Sequence, residues 1–561
     1  MRFVHMLKNT SRESVNVAGL PSPRRHVFSG SFMRLTLILM TCLSCALVVG
    51  DKVEENSSVG STSSEGDTER VFVSSQLGHI RGLRQNGTLH FRGVPYAQPP
   101  VGELRFEAPR KPEGSTGILD ATQFPNRCVQ APAGIFGQAI GATSEDCLYL
   151  NIVTPSTDGS HRPVMFWIHG GGFTQGSANG YDGSMLAVQG DVVVVTINYR
   201  LGIFGYLDLS TFGNDFAGSA NNGMRDQVLA LEWVRDNIAD FGGNPENVTI
   251  FGESAGGASV LTLLATPSAD GLFHKAIAHS PGTTDTPPAN HVNGLLEHLS
   301  TTKDLVVDKL NSMSAEELFA LQEALGDFGA AIDGTVVTRS PNEAIRERGA
   351  QGVPLIAGTN RDEGTFFSAL FALFAPNAAS EFLDGMARAV TAGADPQPLL
   401  DALRAEYPSA DDLKILERVF DAMFLKAALG SATQATLAGN GGWLYRFDYA
   451  TTKPVFGKSV GATHAAEIPF TFNRFNSPDP GELIGYDPKD AVASELAQKW
   501  SDTLIAFART GNPNGAGLPK WPHYDAETRA TLVLDAMPRI DHDLNRNLRG
   551  LWEKVLAENP D

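Results

Sequence analysis

Cysteine is scarce: four residues in a chain of 561, two of them (Cys42 and Cys45) in an N-terminal apolar stretch, leave only Cys128 and Cys147 for a folded body. That is too few for a disulfide-built scaffold, and without histidines at ligand spacing nearby the pair cannot form a structural zinc site. Positive charge is short as well. The 44 Lys+Arg stand against 63 Asp+Glu, a net charge of -19, which is the wrong sign for gripping phosphate backbones and excludes nucleic acid as the expected partner. The apolar run from Leu35 to Val49 falls short of the about 20 residues that a membrane-spanning helix requires. Internal repeats are absent. Gly457-Lys458-Ser459 is not a phosphate-binding loop, since Thr452 stands where its first glycine belongs.

What is present at the N-terminus has the pattern of a leader. Arg24, Arg25 and Arg34 precede the apolar run, and Val48 and Gly50 are small enough to flank a cleavage site. Residues 1–50 are therefore expected to be removed near Gly50, sending the chain to a secreted or periplasmic compartment with no membrane span in the mature form; the paired arginines also permit a twin-arginine route. Residues 51–69, rich in Ser, Gly, Glu and Asp, cannot offset their ordering entropy and read as a tether. No second linker of that kind follows, so 70–561 is expected to be one domain. In an oxidising compartment Cys128 and Cys147 would close a disulfide loop.

Three segments carry chemistry. Asn247 to Phe251 is β-prone, and Gly252-Glu253-Ser254-Ala255-Gly256 then turns sharply into small, helix-compatible residues. Such a turn needs glycines because a Cβ has no room beside an exposed nucleophile. The pattern alone carries little, since 57 residues are glycine. Its context carries more. Met224, Val228, Leu231, Val234, Ile238 and Phe241 recur at helical spacing just before it, in helix-then-strand order. An apolar strand from Val164 to Ile168 runs into Gly170-Gly171-Gly172, where backbone N–H groups are able to turn towards a developing oxyanion. Val192 to Tyr199 is so uniformly β-branched that it predicts a strand covered on both faces.

These motifs, in this order, resemble those of the type B carboxylesterase and cholinesterase-like family of α/β hydrolases. Phe91-Arg92-Gly93-Val94-Pro95 with Leu104-Arg105-Phe106 is similar to the family's N-terminal signature, and Ser144-Glu145-Asp146-Cys147-Leu148-Tyr149-Leu150-Asn151 to its second, whose cysteine bonds to one at the position of Cys128. The resemblance implies an α/β-hydrolase fold, with a mostly parallel sheet, flanking helices and helical cap insertions forming a gorge. It implies Ser254 as nucleophile and Gly171, Gly172 and Ala255 as oxyanion donors. Gly358 to Phe367 resembles the acid segment and nominates Glu363, although by spacing Asp362 is an equal candidate. Gly461 to Pro469 resembles the histidine loop and nominates His464 over His523 and His542. Phe366 and Phe367 match an aromatic pair lining the gorge; Phe371 and Phe374 continue at helical spacing, as gorge or as core. Ser280 resembles a supporting serine.

The expected activity is hydrolysis of small carboxylic esters through an acyl-enzyme, with no cofactor and no metal. His464 and Glu467 have the spacing of a helical metal pair, but Pro469 ends the segment and no second histidine follows. Tryptophan is missing between Cys128 and Cys147, where cholinesterases carry one for cation–π binding of quaternary ammonium, so choline esters are disfavoured. Lipase, thioesterase or amidase chemistry on the same triad is the nearest alternative, and a non-catalytic binding module the more distant one. Oligomeric state is left open.

Overall fold

The apolar stretches singled out above become the centre of one sheet in a computed structural model, which describes residues 69–558 except 115, 132–139, 327, 350–351, 376–377, 392 and 479–482. The expected leader, and the expected tether apart from Glu69, lie outside the described residues. In chain order the strands are β1 (Glu69–Ser75), β2 (Gly78–Gln85), β3 (Thr88–Pro95), β4 (Ile118–Asp120), β5 (Arg127–Cys128), β6 (Thr143–Ser144), β7 (Tyr149–Thr154) and β8 (Arg162–Ile168). They continue with β9 (Val193–Ile197), β10 (Gly243–Glu253), β11 (Lys275–His279), β12 (Leu355–Asn360), β13 (Gly442–Phe447), β14 (Ala530–Leu534) and β15 (Arg539–His542). The main sheet runs β1-β2-β3-β7-β9-β8-β10-β11-β12-β13-β14-β15, with β4 beside β2. From β9 to β14 neighbouring strands are parallel; antiparallel strands flank them on both sides.

Burial on both faces explains why the central strands read as unbroken apolar runs. Along β8, Val164, Phe166 and Ile168 enter one core with Leu231 and Val234 of α2 (Asn222–Asn237). Met165 and Trp167 enter the opposite core with Trp500 and Leu504 of α6 (Ala491–Thr510). Each fully buried side chain of this size contributes roughly 1.5–3 kcal/mol of transfer free energy. The periodicity that predicted a helix from Met224 to Phe241 is realised as α2 followed by a 3₁₀ turn, Ile238–Phe241, that ends at Gly242 in the left-handed region (φ 82°). All six of its apolar positions are buried.

Three more helices position the site: α3 (Ala255–Leu263) follows β10 directly, while α4 (Gly364–Phe374) and α5 (Asp412–Leu437) belong to a separate helical core on which Phe371, Phe382, Leu416 and Phe420 are buried. That core supplies one of the helical cap insertions that the family resemblance implies. Helix α1 (Ser184–Gly190) packs between the sheet and α6. Cys128 and Cys147 are joined by a disulfide, with both residues buried. No helix among the described residues is long and apolar enough to cross a membrane.

Candidate active site

Parallel neighbours bring their carboxyl ends to one edge, and the register makes that edge tight: Gly252 pairs with Ile168, Glu253 with His279, and His279 with Gly358. The glycine triplet after β8, Ser254 after β10, Ser280 after β11 and Glu363 after β12 therefore leave the sheet side by side, as open α/β sheets arrange their ligand crevices.

Ser254 sits between β10 and α3 at φ 58°, ψ -121°, a conformation that costs a non-glycine residue on the order of 1–3 kcal/mol and is kept only where the surroundings impose it. They do. A Cβ on Gly256 would stand 2.0 Å from the Ile168 carbonyl oxygen, and one on Gly252 2.6 Å from the Gly256 carbonyl. The Ser254 N–H is held by the His279 carbonyl at 3.0 Å, and the Ser254 carbonyl accepts from Ala258 N at 2.8 Å. The serine is half-buried, whereas His464 and Glu363 are buried.

His464 Nδ1 bonds Glu363 Oε2 at 2.6 Å. The other carboxylate oxygen, Oε1, accepts from Ser280 Oγ at 2.5 Å and from Asn360 N at 2.7 Å, so Glu363 is clamped from three sides. Gly364 contributes: a Cβ there would meet the backbone of Glu417 at 2.1 Å, so α4 starts flush against α5. Asp362, the alternative by spacing, instead accepts from Ala462 N at 2.9 Å and from the Arg361 guanidinium at 2.8 Å, bracing the loop that carries His464. His464 Nε2 faces the serine turn, 3.1 Å from Glu253 Oε1; Ser254 Oγ makes no hydrogen bond among the described residues. His523, exposed with its ring against Trp443, and His542, exposed with Nδ1 on the Thr528 carbonyl, lie elsewhere.

Gly170 abuts the same turn, with a Cβ there coming within 3.0 Å of the Ser254 Cβ. Gly171 and Gly172 adopt φ 105° and 62°, and a Cβ on Gly171 would collide with the Gln175 carbonyl at 2.2 Å. Neither of their N–H groups has an acceptor among the described residues, and the Ala255 N–H, at the first position of α3, has no intrahelical one. All three donors are available to a bound oxygen.

Phenylalanine rings enclose the imidazole. Phe367 lies 5.1 Å and Phe366 6.3 Å from His464 between ring centroids. Phe424 of α5, which the sequence reading missed, stacks closer at 4.6 Å. Phe371 is core, against Phe382; nothing is described of the Phe374 side chain.

The reading also missed a set of buried acids. Burial, reinforced by the Glu363 charge, pushes the Glu253 carboxyl well above the usual range. Burial, then Glu253 and Glu363, push Glu467 up to about 8, and burial raises Asp421, which accepts from Gly364 N, to about 7. Glu467 receives Asn360 Nδ2 at 2.5 Å and so ties the acid strand to the histidine loop. Its three-residue spacing from His464 was the one visible signal; it marks a clamp, and no group of three metal-ligating side chains occurs among the described residues.

The Carboxylesterase family model matches residues 68–552. The para-nitrobenzyl esterase of Bacillus subtilis is 39% identical over 495 residues, covering 84% of this chain and 96% of that protein. A human cocaine esterase is 34% identical over 560 residues, covering 94% and 96%. The crystal structure of a Geobacillus stearothermophilus carboxylesterase superposes with a TM-score of 0.75 at 37% identity, over 86% of this chain and 99% of that one. With its parallel sheet edge, glycine turn and clamped imidazole, the chain belongs to the carboxylesterase family: it is a carboxylic ester hydrolase of the α/β-hydrolase fold.

Proposed function

We propose that this is an exported serine carboxylesterase working through an acyl-enzyme, with Ser254 as nucleophile, His464 as general base and acid, and Glu363 orienting the imidazole. The observation that carries the reading is the buried 2.6 Å Glu363–His464 bond beside a serine in a strained turn. Rotation of Ser254 Oγ towards His464 Nε2 closes the relay. As Oγ attacks the ester carbonyl carbon, its proton passes to Nε2 and the carbonyl oxygen takes the negative charge, met by the N–H groups of Gly171, Gly172 and Ala255. The imidazolium returns that proton to the departing alcohol, leaving the acyl-serine. Water then gives a proton to His464 as its oxygen attacks the acyl carbon; the proton goes back to Ser254 and the acid leaves.

Burial disfavours the charged form of Glu253, which leaves Glu363, bonded to Nδ1, as the acid placed to balance the transient imidazolium. Phe366, Phe367 and Phe424 favour esters with a flat apolar part on that side of the site, in keeping with the para-nitrobenzyl group in the name of one relative. Export is supported by the Cys128–Cys147 disulfide and by the leader pattern before Gly50. Ser254→Ala is expected to abolish p-nitrophenyl ester hydrolysis and covalent labelling by an organophosphate. Retention of both would overturn the assignment.

A further inference from the structure

Gly457-Lys458-Ser459, which is no phosphate loop, has another part in the structure: with Phe456 it closes a two-residue hairpin turn. Val455 N donates to the Lys458 carbonyl at 2.9 Å, and Lys458 N to the Val455 carbonyl at 3.0 Å. The two residues between them, Phe456 and Gly457, have φ 51° and 72°, the positive pair of a type I′ turn, whose first place favours Asn, Asp or Gly. A bulky side chain is a conformational outlier on such a backbone. Burial does not explain it either, since 38% of Phe456 is exposed. Strain that neither the turn nor the core calls for points to a role in function.

The turn is fixed relative to the site. Val455 and Val460, on either side of it, share a buried cluster with Ala369 of α4, and Thr365 Oγ1 of the same helix stands 2.6 Å from the Val460 carbonyl oxygen. The segment then leads directly to His464. The Phe456 ring is thereby set beside Phe366, 5.8 Å between centroids at an interplanar angle of 57°. Phe366 lies in turn 6.3 Å from the imidazole and meets Phe367 edge-on at 5.5 Å. An apolar wall thus runs from His464 through the buried Phe366 to a ring open to solvent. Because the imidazole hands its proton to the departing alcohol, this wall borders the alcohol half of the ester.

We infer that Phe456 sets specificity for the alcohol part of the substrate, favouring apolar alcohols long enough to pass Phe366 and meet its ring. This rests on the catalytic reading of Ser254 and His464. The experiment, on the full chain, compares benzyl acetate with 4-phenylbenzyl acetate, whose second ring extends outward while the acyl group and the bond broken stay the same. In the wild type kcat/KM should be higher for the larger ester. Phe456→Asn should lower the ratio of the two values at least about fivefold, through KM, the scale of one aromatic contact. Because Asn suits the turn, the melting temperature of that variant should equal or exceed the wild type's; a phenylalanine kept only for packing would show the reverse. A wild-type preference for the smaller ester, a smaller fall in the ratio, or a lower melting temperature in Phe456→Asn would each overturn the inference. Hydrolysis of both esters by Ser254→Ala would instead overturn the catalytic reading beneath it.

Discussion

Two polar regions share one sheet, and they handle burial in opposite ways. Around His464 the charged candidates are carboxyls, and a carboxyl is able to keep its proton: Glu253, Glu467 and Asp421 all have raised pKa values because burial penalises the anion. Beside β3, where a cavity of 260 Å³ opens, the charged groups are mainly the guanidiniums of Arg92 and Arg474, which burial cannot neutralise. Tyr181 stands between the two, lining the cavity while its ring meets Trp167 at 4.9 Å. Carboxyls can thus be buried by holding on to their protons, whereas guanidiniums stay charged and here border an open cavity.

The comparison is broken most forcefully at Glu363. If it alone carries the charge that the imidazolium needs, Glu363→Gln should lower kcat roughly 10³- to 10⁴-fold in an ester assay, with the melting temperature showing that the chain still folds; a loss under tenfold would mean that Glu253 or Glu467 shares the role. Backbone closeness gives the next contrast. Gly256→Ala, which drives a Cβ to 2.0 Å from a backbone oxygen, should destabilise by roughly 3 kcal/mol in denaturant titration, whereas Gly180→Ala on the cavity wall, with nothing within 4 Å, should stay within about 0.5 kcal/mol.

The smallest expected effect is a slope. Glu467 holds its proton to about pH 8 when folded and releases it near its ordinary value of 4.5 when unfolded. Between those values the folded state binds more protons, so this group's contribution to stability is fully present below about pH 4.5 and is lost as pH rises through 8, at no more than about 1.4 kcal/mol per pH unit. Glu467→Gln should flatten the fall in melting temperature from pH 5 to 8. Parallel profiles for the two proteins would show that Glu467 is ionised in the folded chain.

Legibility in the sequence followed contiguity. The nucleophile turn and the glycine triplet are short segments whose chemistry is local, and the helix over Met224 to Phe241 announced itself by period. Asp362 and Glu363 could not be separated by spacing, because which of two adjacent acids points at an imidazole depends on where the chain turns after β12. Glu253 was hidden as the variable residue of its own motif. Phe424 was hidden in a long amphipathic helix, where an aromatic reads as core until another segment is brought against its face.

The order of motifs along the chain sufficed to determine the fold family, the candidate nucleophile and its oxyanion glycines, since each is written in a few consecutive residues. Only tertiary structure decided that Glu363 and not Asp362 meets His464, that buried acids gather behind the serine, and that Arg92 and Arg474 border one cavity. Those outcomes depend on distances between residues a hundred or more positions apart, and burial alters the protonation of a side chain only once the fold has enclosed it.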